Sequence, residues 1–142
     1  MKDYNKFLSE LKKVPDIYEN FTTTSYQFKN DIFKYFKDNN FNCIELGCYQ
    51  GYTSRILSFI FNNVLSLDFN NEFLQKADKY NEHIDNVGFI NIDLSNNDEW
   101  NDKIKSEYQD KFQVAFIDGK HNYESCINDL NNTFELGCKY FI

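Results

Sequence analysis

The segment IELGCYQGYTS, Ile44 to Ser54, places an acid, Glu45, inside a short apolar run and then opens the backbone twice, at Gly47 and Gly51. Glycines can take up dihedrals that side chains resist and can let a ligand come close to the main chain. Three further acids each close an apolar segment: Asp68 after VLSL, Asp93 after GFINI, and Asp118 after QVAFI. A carboxylate placed like Asp68 can accept hydrogen bonds from both hydroxyls of a ribose. His121, just beyond Asp118, is an imidazole that can take a proton near physiological pH. Plainer readings stand beside each of these. The two glycines can form an ordinary turn, Asp68 and Asp93 can cap helices, Asn70 can supply the first of those caps instead, and His121 can bond a neighbouring loop at a helix start. His83, at a polar helix end, is left outside the site.

These residues need elements to hold them. From Phe41 onward, the apolar segments NCIELG, NVLSLDF, VGFINID, FQVAFID and CKYFI alternate with stretches of helical spacing. Those stretches carry Thr53, Ile56, Leu57 and Ile60; Phe73, Leu74, Ala77 and Tyr80; Trp100 and Ile104; and Tyr123, Ile127, Leu130 and Phe134. Near-continuous apolar strands joined by crossover helices predict an α/β, Rossmann-like parallel sheet of about five strands with helices on both faces. Ligands of such sheets bind outside the carboxyl ends of the strands, where the strand order reverses. Here those ends are Gly47, Asp68, Asp93 and Asp118.

Two helices precede the sheet, over about Asp3 to Lys13 and about Ser25 to Asp38, the second with a broad apolar face and a Thr and Ser run able to cap it. Between them, VPDIYENFTTTS reads as a linker. Residues 1–40 form an N-terminal helical extension and 41–142 the ligand-binding part of what is expected to be a single domain.

The residues IELGCYQGYTS, VLSLDFN, VGFINIDLSN and FQVAFIDGKHNYE, in this order and over about two-thirds of the chain, resemble the class I S-adenosylmethionine-dependent methyltransferases. The spacing E-x-G-x-x-x-G departs from the G-x-G-x-x-G of nicotinamide-binding proteins. The resemblance implies S-adenosylmethionine as cofactor. Glu45 would lie near the amino group of its methionine part, Gly47 and Gly51 close to that part and the ribose, Asp68 on the ribose hydroxyls, and Asp93 with the backbone of Leu94 on the adenine edge. The pattern D-G-x-H-x-Y further resembles a small-molecule subgroup that often acts on hydroxyl groups. It implies Asp118 facing the transferring methyl and His121 taking the acceptor's proton.

The formal net charge is -7 and the basic residues are scattered, which argues against a nucleic-acid acceptor because phosphate neutralisation needs clustered Lys and Arg. No segment reads as a secretory leader or membrane span, so a cytoplasmic protein is expected. Cys43, Cys48, Cys126 and Cys138 lack metal-ligand spacing and read as small buried thiols in a reducing compartment, and Asp118 alone is too poor a site for a divalent cation, so no metal is expected. Family members usually continue beyond the fifth strand into two more that include a reversed hairpin. The expectation is a C-terminally truncated sheet whose edge, CKYFI, is covered by a homo-oligomeric or other partner chain or by the first two helices, or else a partial gene product. Binding of the cofactor without turnover, and an unrelated nucleotide-binding module, stand as alternatives.

Overall fold

The structure, a computed structural model, describes residues 2–20 and 23–142. Phe21 and Thr22, within the expected linker and its Thr run, lie outside the described residues, as does Met1. The elements follow the alternation of the sequence. Helices α1 (Tyr4–Leu11) and α2 (Tyr26–Phe36) lead into β1 (Cys43–Leu46), α3 (Tyr52–Ile60), β2 (Val64–Asp68), α4 (Asn71–Tyr80) and β3 (Val87–Asn91). Next, α5 (Asn97–Trp100) runs through a π-helical turn (Asn101–Lys105) into α6 (Ser106–Tyr108), followed by β4 (Val114–Ile117), α7 (Tyr123–Glu135) and β5 (Tyr140–Phe141). Asp3, Ser25, Asn70, Asn96 and Asn122 cap α1, α2, α4, α5 and α7 with their side-chain oxygens, which satisfies backbone donors that a helix start leaves free. Asn70 therefore takes the capping task that Asp68 could have had.

All five strands are parallel, in the order β3-β2-β1-β4-β5. The chain winds outward from β1 to β3 and then crosses back to β4 on the other side of β1. The order therefore reverses between β1 and β4, and a crevice opens at their carboxyl ends.

Alternation along the strands divides the core in two. Cys43, Val64, Val114 and Phe116 pack with α1, α2 and α3, around Phe7, Phe33, Phe36, Ile56 and Ile60. Ile44, Leu46, Leu65, Leu67 and Ala115 pack on the opposite face, around Trp100, Ile104 and Leu136. Strands buried on both faces are why the sequence reads as short unbroken apolar runs. Glu45 and Ser66 are buried polar residues within them; Glu45 shares the parity of Cys43 and points toward α3.

Two readings of spacing meet a different outcome. On α7, Tyr123, Ile127, Leu130 and Phe134 are exposed, and the buried residues are Asp129 and Thr133. The apolar stripe of this helix faces away from the sheet because its polar stripe lies against the loop that follows β4. Of the cysteines, Cys43, Cys48 and Cys138 are buried and Cys126 is exposed. At the sheet edge, Tyr140 packs its ring 5.8 Å from Phe36 and 5.2 Å from Phe41, yet both Tyr140 and Phe141 remain exposed. No helix among the described residues is long and apolar enough to cross a membrane.

Candidate functional site

A cavity of about 670 Å³ opens at the carboxyl ends of β1, β2, β3 and β4, within the size range of small-molecule sites. Gly47, Asp68, Asp93, Leu94 and Asp118 all line it. So do Tyr49, Phe69, Phe73, Lys120, Glu124, Ser125, Asn128 and Asp129, none of which the motifs singled out. Glu45, Gly51 and His121 are not part of the lining.

The loop after β1 is built around Gly47. Its φ is +86°, and a side chain there would collide with the carbonyl of Asp118, whose carbon is 2.7 Å from the point a Cβ would occupy. The β1 and β4 loops therefore touch backbone to backbone, which only glycine allows. Gly51 also has a positive φ, +76°, but a Cβ there would meet Ala77 and Asn81 of the α4 region. The second glycine thus serves the packing of α3 on α4, and it sets the start of α3.

Asp68 braces this loop. One carboxylate oxygen accepts the backbone N–H of Tyr49 at 2.9 Å and the other that of Asn70 at 2.9 Å. Each oxygen keeps a lone pair, so the carboxylate, 7% exposed, can accept two further hydrogen bonds from the cavity side. Tyr49 stacks edge-on against Phe73 at 4.4 Å, which gives the cavity an aromatic wall.

Glu45 is fully buried under this loop. Its Oε2 accepts hydrogen bonds from the hydroxyls of Ser54 at 2.5 Å and Ser66 at 2.6 Å, and Oε1 has no partner among the described residues. Burial raises its pKa to about 7 against the pull of the two serines, with the nearby carboxylates of Asp118 and Asp68 adding to the rise. Behind it lies Lys29 of α2, 1% exposed, whose ammonium donates to Thr23 Oγ1 at 2.9 Å and to the Thr24 carbonyl at 2.5 Å. Burial lowers the Lys29 pKa to about 8, and attraction to Asp16 and Glu45 opposes the fall. The sequence carries a signal for Lys29, since it falls at helical spacing with the apolar face of Ile32, Phe33 and Phe36.

The remaining acids differ from one another. Asp93 is exposed, and its Oδ1 accepts both the backbone N–H and the hydroxyl of Ser95, at 2.9 and 2.6 Å, which lowers its pKa. Asp118 is half-buried with a pKa raised by burial, and His121 Nε2 lies 3.7 Å from its Oδ1. The His121 side chain is 84% exposed, so it stands over the rim of the cavity rather than inside it. Asp129, from α7, is 3% exposed, and burial raises its pKa to about 6.

The charges lining this cavity are Asp68, Asp93, Asp118, Glu124 and Asp129 against Lys120. That set of acceptors fits a ligand with hydroxyls and positive charge, such as a sulfonium and an ammonium. It fits poorly the phosphates of other nucleotides, whose binding calls for backbone N–H groups and cations.

A second cavity, of about 690 Å³, lies at the opposite side of the fold between α1, the end of α3 and residues 83–86 before β3. Lys2, Lys6, Lys13, Arg55 and His83 line it together with Asp3, Glu10 and Asp85. Arg55 donates to Glu10 Oε2 through Nη2 at 2.7 Å and Nε at 3.1 Å, and Lys13 reaches Glu10 Oε1 at 2.6 Å. His83 thus lies beside Arg55, 3.3 Å from Nη1, away from the first cavity.

No protein-family model matches the chain. No curated protein matches it either. Solved structures do. The YcgJ protein from Bacillus subtilis aligns over 78% of this chain and 46% of its own, at 12% identity and a TM-score of 0.63. The N-methyltransferase NodS from Bradyrhizobium japonicum, in complex with S-adenosyl-L-homocysteine, aligns over 94% of this chain and 66% of its own, at 10% identity and a TM-score of 0.60. A phosphoethanolamine N-methyltransferase from Haemonchus contortus, with phosphoethanolamine and S-adenosylhomocysteine, aligns over 92% of this chain and 29% of its own, at 17% identity and a TM-score of 0.58. The chain has the Rossmann-like fold of class I methyltransferases, and it spans about half the length of the first structures it matches.

Proposed function

We propose that the chain binds S-adenosylmethionine in the cavity at the carboxyl ends of its strands and takes part in methyl transfer to a small molecule, with a hydroxyl as the acceptor group. The observation that carries this reading is Asp68: a buried carboxylate that holds the glycine loop by one lone pair of each oxygen and turns the others to the cavity. The likeness to methyltransferases that hold the demethylated cofactor supports it.

When bound, the cofactor supplies an electrophilic methyl on a sulfonium. The chain's own residues have the simpler tasks of holding and aligning. Asp68 accepts the ribose hydroxyls, and Gly47 lets the ligand lie against the β1 and β4 loops. Glu45, with an unpartnered oxygen under that loop, lies below the methionine part, whose positive charge favours its ionised form. Asp118 places negative charge there from the end of β4. His121 takes the acceptor's proton, and the imidazolium so formed lies close enough to the Asp118 carboxylate, at 3.7 Å, to be stabilised by it.

The exposure of His121 favours a second reading, in which the cofactor is bound without turnover. A base that stands in solvent keeps its own hydration and gains little from its carboxylate. Calorimetric titration with S-adenosylmethionine and S-adenosylhomocysteine, followed by a methyl-transfer assay on polyol and phenol acceptors, separates the two. Binding with His121-dependent transfer supports the first, binding alone the second, and no binding by folded protein removes both.

A further inference from the structure

Lys29 stands in the first turn of α2 with 1% of its surface exposed, and a lysine enclosed in this way is costly unless its charge is matched. Its ammonium donates to Thr23 Oγ1 at 2.9 Å and to the Thr24 carbonyl at 2.5 Å. Both acceptors are neutral, and an ammonium has a third donor. Its charge is answered at longer range, by Asp16 and by Glu45.

The neighbours of Lys29 fix its place over the sheet. The ring of Phe28 lies 6.3 Å from that of Phe116, and Phe116 is the register partner of Glu45 across β1 and β4. Ile32, one turn further along α2, belongs to the same core layer as Phe116. The start of α2 therefore covers the part of the sheet from which Glu45 points, on the same face. Glu45 is itself fully buried, with Oε2 held by Ser54 and Ser66 and Oε1 without a partner among the described residues. The titratable groups that face it are Lys29 from α2, Asp68 from β2, Asp118 from the end of β4, and the thiols of Cys43 and Cys48. From α3 it receives the Ser54 hydroxyl. Lys29 is the one positive charge in this set, and without it an ionised Glu45 would face only acids.

We propose that Lys29 is a positioning residue that acts through Glu45, holding positive charge behind the carboxyl so that Glu45 gives up its proton as the positively charged end of the ligand settles above it. Cofactor binding is then linked to proton release. This rests on the reading of the carboxyl-end cavity as a cofactor site and adds to it what sets the charge of the acid enclosed beneath. The O–H bond of Glu45 breaks, the proton passes to the buffer, and no other covalent bond changes. Lys29→Met keeps an unbranched side chain and removes the charge, so the carboxyl keeps its proton to a higher pH.

The test is calorimetric titration with S-adenosylhomocysteine and with 5′-methylthioadenosine, which lacks the amino-acid part, in buffers of different ionisation enthalpy. Burial holds the Glu45 proton up to about pH 7. The preference of the wild-type chain for S-adenosylhomocysteine over methylthioadenosine should therefore rise about tenfold from about pH 6 to about pH 8, with proton release on binding at the lower pH. Lys29→Met should reduce that preference about fivefold or more at about pH 7 and move its rise to higher pH. In a Glu45→Gln background the same substitution should leave the preference within about twofold. Equal weakening of both ligands by a folded Lys29→Met protein, or a further fall in preference in the Glu45→Gln background, would make Lys29 a purely structural residue and overturn the proposal. The wild-type pH series needs no variant to fold, and a preference that stays flat with no proton released would overturn it as well. Failure of both ligands to bind folded wild-type protein would remove the cofactor reading itself, an outcome distinct from a flat preference.

Discussion

The two cavities of this chain have nearly the same volume, about 670 and 690 Å³, and both are lined by charged side chains. They differ in what those charges do. In the cavity at the amino ends of the strands, Arg55, Glu10 and Lys13 satisfy one another, and His83 adds to the same network. In the cavity at the carboxyl ends, Asp68 binds only backbone and Asp129 has no donor at all among the described residues, while Glu45, under the loop and outside the lining, keeps an oxygen without a partner. Space alone does not make a site. Polar groups held in place by the fold, but left with bonding capacity facing the space, do. The cavity at the amino ends is a clamp that fastens α1 to α3 and α4, and the one at the carboxyl ends keeps the bonding capacity a ligand would use.

Substitutions at the two places should therefore give opposite signatures. The largest effect is expected from Gly47→Ala, which sets a Cβ against the Asp118 carbonyl at a φ of +86°. A loss of more than about 3 kcal/mol of stability, or failure to fold, should appear in thermal unfolding. Arg55→Ala leaves Glu10 buried beside Lys13 alone and should cost about 3 kcal/mol in denaturant unfolding, with no change in ligand affinity. Asp68→Ala should do the reverse, weakening S-adenosylhomocysteine binding by about 100-fold in calorimetry with a smaller loss of stability. Should Asp68→Ala and Arg55→Ala affect binding alike, the contrast between the two cavities fails.

A smaller and pH-dependent effect is expected from Glu45. Its folded carboxyl holds a proton up to about pH 7, whereas its ordinary value is 4.5. The folded state thus binds the proton more tightly than the unfolded one, so this contribution to stability is complete below 4.5 and is lost as pH rises through about 7. Glu45→Gln should flatten the decline in unfolding temperature across that window, and an unchanged slope would mean that the carboxyl ionises freely. Asp93→Asn should have the least consequence, less than about 0.5 kcal/mol in stability, because its partners lie within its own exposed turn.

Much of this arrangement is legible in the sequence, because a doubly covered parallel sheet writes its strands as short apolar runs and leaves their ends marked. Gly47, Asp68, Asp93 and Asp118 stand at those ends and meet around the cavity, in the order Asp93, Asp68, Gly47, Asp118 that the strand order sets. What is not legible depends on contacts between distant segments. Gly51 is needed because Ala77 and Asn81 come up against it. Asp129 reads as one more polar residue in a helix whose apolar stripe, Tyr123, Ile127, Leu130 and Phe134, suggests the other face as the buried one. Only its place over Gly119 reveals it. Arg55, the one arginine of the chain, looks like a surface residue of α3 until Glu10 meets it from a distance of 45 positions.

The most direct measurement is a titration of isotopically labelled protein with S-adenosylhomocysteine followed by backbone amide resonances. The account predicts that shifts concentrate at Gly47, Tyr49, Phe69, Leu94 and Gly119, around the carboxyl-end cavity, and leave Lys6, Arg55 and His83 where they were. Shifts centred on Arg55 and His83, or none in a folded protein at millimolar ligand, would contradict it.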